Sequence, residues 1–247
     1  MSINLCIDWG NTLVKASVFN NDAIISSKSF TEAEALKELL SLIEAHQPTK
    51  AILSAVVDNA ILVEQLVKEH VKGFIKLDAH TSLPIINAYT TAGTLGTDRV
   101  ALATAAYMLN PGKNSLVISL GTCITYNFVQ KNRTFRGGAI SPGMQMRLKA
   151  MHAFTDKLPE VSSDGELLLL GYDTETCMRS GAIFGMAAEI DGIIKEFESQ
   201  YPDFNAVLTG GDATLFVGKL KNRIFADPDL LMKGLNLILN YNVPIPR

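Results

Sequence analysis

Apolar and polar positions divide the chain into two stretches that open alike. Residues 3–8 form a nearly continuous apolar run ending on a carboxylate, the pattern of a strand buried on both faces. Trp9-Gly10-Asn11-Thr12 carries turn residues and 13–19 resumes as a strand, which predicts a hairpin with a polar tip. Asn20-Asn21-Asp22 turns the chain into a third strand over 23–29. Thr31 and Glu34 have capping-box spacing ahead of Leu36, Leu39, Leu40 and Ile43, one helical face that Pro48 stops. A strand over 51–56, a helix over 59–70 and a strand over 74–77 follow. A polar loop over 78–96 then leads into an Ala- and Leu-rich helix over 98–109.

Asn110-Pro111-Gly112-Lys113-Asn114 is the sharpest break, and after it the opening returns. Residues 116–120 predict a buried strand, Gly121-Thr122 a turn, 124–129 a second strand and 134–140 a third. Ser141 as cap and Pro142 at the first helical position predict a helix. A long helix is predicted over 174–199, then a strand over 206–209 ending in Gly210-Gly211, and Asp227-Pro228 opens a final helix. This repetition predicts a mixed α/β unit duplicated within the chain, with domains over 1–112 and 113–247. If the halves face each other, the tips at 8–12 and 119–122 point into one cleft, where ligands usually bind.

Composition narrows the function classes. The 247 residues are 47% hydrophobic and 19% charged, which suits buried cores and excludes a disordered or collagen-like chain. A net charge of -3 gives no electrostatic footprint for nucleic acid or an anionic membrane. No apolar run approaches the ~18 residues of a membrane span. Met1-Ser2-Ile3-Asn4 lacks a basic segment, so no signal peptide is expected. Cys6, Cys123 and Cys177 read as buried, reduced thiols of a cytoplasmic protein. His46, His70, His80 and His152 have no zinc-ligand spacing.

Three places could carry chemistry. At the first tip, Gly10 lets backbone N–H groups approach an anion, Asn11 and Thr12 add donors, and Lys15 is a point charge for phosphate. Asp8 is a hard oxygen ligand suited to magnesium. A simple hairpin turn accounts for the same residues equally well. Gly96-Thr97-Asp98-Arg99 opens a helix, with Thr97 as the expected cap, unsatisfied N–H groups, a bidentate Arg99 and Asp98 as a possible base. The helix terminus would weaken that base and desolvation would strengthen it. An ordinary helix start with a surface arginine also fits. Gly137-Gly138-Ala139-Ile140-Ser141-Pro142-Gly143 and Thr209-Gly210-Gly211-Asp212 suit either a nucleotide or close packing. The classical nucleotide motifs are absent: Gly112-Lys113 is followed by Asn114, and Tyr107 stands where a P-loop begins with Gly.

Taken in order, Asp8-x-Gly10-Asn11-Thr12-x-x-Lys15, Tyr89, Gly96-x-Asp98-Arg99, Gly121-Thr122-x-x-Thr125, Gly138-x-Ile140-x-Pro142-Gly143, Thr174 ahead of Ser180-Gly181, and Thr209-Gly210-Gly211 resemble type III pantothenate kinase over nearly the whole chain. The resemblance implies an actin-like ATPase fold of two ribonuclease-H-like domains with the active site in the cleft between them. It implies transfer of the ATP γ-phosphate to the primary hydroxyl of pantothenate, the first step toward coenzyme A. It also implies a homodimer, magnesium, and a monovalent cation, potassium or ammonium. Position by position, Asp8, Trp9, Gly10, Asn11, Thr12, Leu13, Val14 and Lys15 would form the first phosphate loop, with Asp8 toward magnesium. Thr122 would bind ATP and Asp98 would be the general base. Tyr89, Gly96, Thr97, Asp98 and Arg99 would bind pantothenate, with Thr174 from the neighbouring subunit. The chain departs from the family pattern at Ser119, where the family places the monovalent-cation Asp, and at Asn127, where it places a second Asp. Cation dependence is therefore expected to be weakened or lost, or the cation to be held differently. Two alternatives share the fold: a kinase for another small hydroxy substrate, and a non-catalytic regulator of the Bvg accessory factor type.

Overall fold

The computed structural model describes residues 2–55, 60–201 and 203–243. In chain order its first elements are β1 (Ile3–Trp9), β2 (Val14–Asn20), β3 (Ala23–Phe30), α1 (Ala35–His46), β4 (Lys50–Ala55), α2 (Ile61–His70), β5 (Gly73–Lys76), β6 (Ile86–Asn87) and α3 (Thr97–Leu109). These are followed by β7 (Asn114–Leu120), β8 (Cys123–Val129), β9 (Thr134–Pro142), α4 (Met144–Ala153), α5 (Thr174–Gln200), β10 (Phe204–Thr209), α6 (Ala213–Val217), β11 (Phe225–Ala226) and α7 (Leu230–Asn242). The predicted strand end at 56 and helix start at 59 lie outside the described residues.

The described residues fall into two compact units. One draws on Met1–Gly112, Asn132–Arg136 and Asp229–Arg247; the other draws on Lys113–Lys131 and Gly137–Pro228. In the first, the sheet order is β3-β2-β1-β4-β5, with β1 antiparallel to β2 and parallel to β4. Strand residues alternate between faces, and here both faces are covered. Leu5, Ile7, Val14, Ala16, Ala51 and Leu53 pack with Leu39, Ile43, Val63 and Val67 of α1 and α2. Cys6, Phe19 and Ile52 pack on the other side with Val100 and Ala101 of α3 and Leu235, Ile238 and Leu239 of α7. That is why the run over 3–8 shows no polar alternation.

In the second unit the sheet runs β9-β8-β7-β10-β11, the same order built from the corresponding strands. Leu116, Ile118, Leu120, Ile124 and Tyr126 pack against Met178, Ile183, Met186 and Ile190 of α5. The duplication predicted from the two hairpins is thus present as repeated topology.

Five expectations need correction. Of the three cysteines expected to be buried only Cys6 is; Cys123 is half-buried and Cys177 on α5 is exposed. The final helix was expected at the end of the second domain, but α7 packs in the first unit. Its apolar face fills the space over Cys6 and Ile52, and Asn4 Nδ2 donates to Asn236 Oδ1 at 2.6 Å and Asn240 Oδ1 at 2.9 Å. Asp227 does not cap that helix: it is buried, its N–H donates to Leu208 O, and Asp229 is the N-cap. Nor does Ser141 cap α4, because β9 continues to Pro142 and Gly143 takes that place. Finally, the polar loop over 78–96 contains β6, which pairs with the first residues of β9, Thr134 and Phe135.

Candidate active site

At the C-terminal end of β1 the buried face turns polar. Asp8 stands opposite Lys15 on β2 and beside Ser54 on β4, so one row across three strands carries a cation, a carboxylate and a hydroxyl. Register partners share a face, and this one faces α3 and α7. Asp8 is buried and its Oδ1 accepts a 3.1 Å hydrogen bond from Ser54 Oγ. Ser54 Oγ also lies 2.9 Å from Thr97 Oγ1. A serine hydroxyl has one proton, and Ser54 gives it to Asp8, so Thr97 is the donor to Ser54. Burial, then the nearby Asp98 carboxylate, push the Asp8 carboxyl from 3.8 up to about 6, against the Ser54 hydrogen bond and the charge of Lys15. Beyond this row Gly10 N–H donates to Leu13 O at 3.2 Å and closes the tip, leaving Asn11, Thr12 and Leu13 exposed and Trp9 and Val14 in the core.

The N-terminus of α3 supplies the second part. Thr97 does not cap it; Gly96 is the N-cap, and the Thr97 hydroxyl is drawn to Ser54 instead. A Cβ on Gly96 would sit 2.4 Å from Asp98 Oδ1, so the glycine leaves room for that carboxylate. Asp98 is half-buried and its carboxyl is raised above the ordinary range. Burial is the largest cause, outweighing hydrogen bonds from the Arg99 and Asp98 backbone N–H groups and the charge of Arg99. The contest that the sequence leaves open between helix terminus and desolvation is thereby decided for desolvation.

Arg99 is buried, and its guanidinium carbon lies 5.6 Å from the Tyr89 ring centroid and 5.9 Å from that of Phe135. Asp8, Lys15, Asp98, Arg99 and Tyr89 therefore all belong to the first unit. Ser54 and Phe135, neither of them predicted as a site residue from the sequence, join them. Ser54 was legible as the polar last position before Ala55 in an otherwise apolar strand. Phe135 had no local signal, since only the β6–β9 pairing brings it near Tyr89.

The second unit repeats the row with hydroxyls. Ser119 on β7, the counterpart of Asp8, pairs with Thr125 on β8 and Thr209 on β10. Asn127 is buried and its Nδ2 donates to Thr125 Oγ1 at 3.0 Å. The tip at Gly121 and Thr122 is clasped by backbone: a Cβ on Gly143 would lie 2.2 Å from Gly121 O, and one on Gly210 2.3 Å from Leu120 O. These Gly-rich turns are explained by close packing. Thr174 is exposed at the first position of α5, where Asp173 is the cap and accepts from Thr176 N. Among the described residues no group of three His, Cys, Asp or Glu side chains could hold a metal, and no helix is long and apolar enough to cross a membrane.

A family model described as type III pantothenate kinase matches residues 4–196. The chain belongs to the type III pantothenate kinase family. A relative in Bacteroides fragilis (strain YCH46), a type III pantothenate kinase, is 45% identical over 97% of this chain and 98% of its own. Among solved structures, a conserved putative Baf family transcriptional activator from Campylobacter jejuni aligns with a TM-score of 0.63 at 19% identity, covering 96% of this chain and 98% of that one. An inorganic polyphosphate/ATP-glucomannokinase from Arthrobacter aligns at 0.53 and 15%, covering 98% and 100%. At such identities these structures show the fold alone, a duplicated ribonuclease-H-like fold. Family membership places the chain among pantothenate kinases, ahead of the two alternatives that share the fold.

Proposed function

We propose that this chain transfers the γ-phosphoryl group of ATP to the primary hydroxyl of pantothenate. The observation that carries the reading is the placement of two neighbouring carboxylates, the buried Asp8 and the half-buried Asp98, at one end of a buried sheet in a member of this family. Separated roles follow from their neighbours. Asp98 sits beside Arg99, a fork suited to the pantothenate carboxylate, and takes the proton of the attacking hydroxyl. Its raised pKa makes it a stronger base than an ordinary carboxylate. The hydroxyl oxygen forms the new bond to phosphorus as the bond to the ADP oxygen breaks. Lys15 and the N–H groups of the loop 8–15 hold and neutralise the phosphates, and Thr122 is assigned to ATP from the second unit's own tip. Tyr89, Gly96 and Thr97 complete the pantothenate site, with Thr174 supplied by the second subunit of a cytoplasmic homodimer. Neither nucleic acid nor a membrane is a partner in this scheme.

The residues fit magnesium. Asp8 offers a single buried carboxylate, and magnesium is commonly held by one or two carboxylates with waters and phosphate oxygens as its other ligands. Asp8 would hold it, and when bound it neutralises charge on the phosphates. The monovalent cation is a different matter. Ser119, Thr125 and Thr209 offer only hydroxyls there, and the amide of Asn127 presents a donor to Thr125. That set does not fit a carboxylate-held potassium or ammonium ion, and no step is assigned to one.

The test is ATP-dependent phosphorylation of pantothenate by the purified chain with magnesium. Activity in the wild type that is lost in Asp98→Asn supports the reading. A folded wild type that leaves pantothenate unphosphorylated overturns it.

A further inference from the structure

The role given to Arg99 depends on where its guanidinium is held, and the ring that holds it comes from a distant part of the chain. Tyr89 and Phe135 are stacked, with centroids 6.3 Å apart and planes 17° from parallel. The Arg99 guanidinium carbon lies 5.6 Å from the Tyr89 centroid and 5.9 Å from the Phe135 centroid, within cation–π range of both rings. Phe135 is fully buried and Arg99 nearly so. Phe135 is fixed by backbone: Asn87 pairs with it in the β6–β9 ladder, and Ala88 N–H donates to its carbonyl at 3.1 Å. Tyr89 is fixed through the same ladder, since its N–H donates to Asn87 Oδ1 at 3.1 Å. A two-residue strand thus places both rings against the first turn of α3.

We propose that Phe135 is a positioning residue for carboxylate recognition: with Tyr89, it fixes the plane of the Arg99 guanidinium so that its two-nitrogen edge is aimed at the substrate carboxylate. An arginine on a long stem loses rotamer freedom when it binds, and a guanidinium already held flat loses less. A fork binds a planar carboxylate by two parallel hydrogen bonds only when its plane is right. Substrates without a carboxylate gain nothing from the arrangement, so Phe135 acts on specificity as well as affinity. This inference rests on the proposed function, in which Arg99 meets pantothenate.

The experiment compares Phe135→Met, which keeps apolar volume but removes the ring, with Phe135→Tyr, which keeps it, and with Arg99→Met. Each is assayed with pantothenate and with the alkyl amide of pantothenate, which keeps the hydroxyl but lacks the carboxylate. Phe135→Met is expected to raise KM for pantothenate about tenfold, leave kcat within about twofold, and leave KM for the amide unchanged. Phe135→Tyr is expected to retain the wild-type preference, and adding Phe135→Met to Arg99→Met to change nothing further. Equal losses for both substrates would mean that Phe135 is merely structural and would overturn the inference. So would an unchanged KM for pantothenate in Phe135→Met. If Arg99→Met itself leaves pantothenate KM unaltered, it is the proposed role of Arg99 that fails. If Phe135→Met does not fold, Phe135→Leu in the same two-substrate assay decides between the same outcomes.

Discussion

Replacing Asp8 by Asn is expected to abolish turnover and, at the same time, to make the protein more stable. The Asp8 carboxyl ordinarily titrates near 3.8 and is pushed up to about 6 in the fold, chiefly by burial and then by Asp98. At about 1.4 kcal/mol for each tenfold change, keeping it ionised costs the folded state about 3 kcal/mol. The sign follows from the raised pKa of an acid. Below pH 3.8 both folded and unfolded forms are protonated and there is no cost. Between 3.8 and about 6 only the unfolded form ionises, so stability falls as pH rises. Above about 6 the cost is constant. Asn has no such cost, and its Oδ1 still accepts from Ser54. At roughly 2–4 °C per kcal/mol for a chain of this size, the variant should melt about 6–12 °C above wild type at pH 8. The difference should shrink toward zero near pH 4. The assay is thermal unfolding across this pH range without nucleotide or magnesium, repeated with both. Magnesium with ATP, which relieves the buried charge, should raise the wild-type Tm more than that of the variant. A variant no more stable than wild type at pH 8, or a difference that does not change with pH, would refute the electrostatic account of Asp8.

Other consequences are open to direct measurement. Asp98→Asn should lower kcat by about 10²–10⁴ with little change in pantothenate KM, as for a group acting in the transition state, and steady-state kinetics checks this. Gly96→Ala forces Asp98 Oδ1 away from a new methyl 2.4 Å distant; kcat should fall at least tenfold while Tm moves little. Gly210→Ala meets backbone rather than a side chain, 2.3 Å from Leu120 O at φ +97°, and should lower stability by about 2 kcal/mol or more in denaturant titration. Wild-type activity should be nearly flat from zero to 100-fold excess potassium over enzyme, and a steep activation curve would sink the account of Ser119 and Asn127.

Much of the architecture follows from the one-dimensional pattern. Apolar runs ending in Asp8 and Leu120, each followed by a Gly-containing turn and a second strand, already specify two hairpins and their repetition, because strand burial and turn chemistry are local properties. The ordered motifs were enough to name the family. Residues such as Asp8, Lys15, Asp98 and Arg99 could be picked out because charges at the ends of apolar segments break the pattern. Tertiary structure alone decided what those charges experience. Ser54 reaches Asp8 only because β4 pairs in parallel with β1, and the Thr97 hydroxyl, expected to cap its helix, is turned toward Ser54 by the same packing. Phe135 meets Arg99 through β6, too short to register in any sequence period. Helix α7 looked like the end of the second half and covers the first sheet, since its apolar stripe names no partner. Whether Asp98 is a weak or a strengthened base was undetermined by the sequence, because hydrogen bonds at a helix terminus are set by adjacent residues but desolvation is set by everything packed around them.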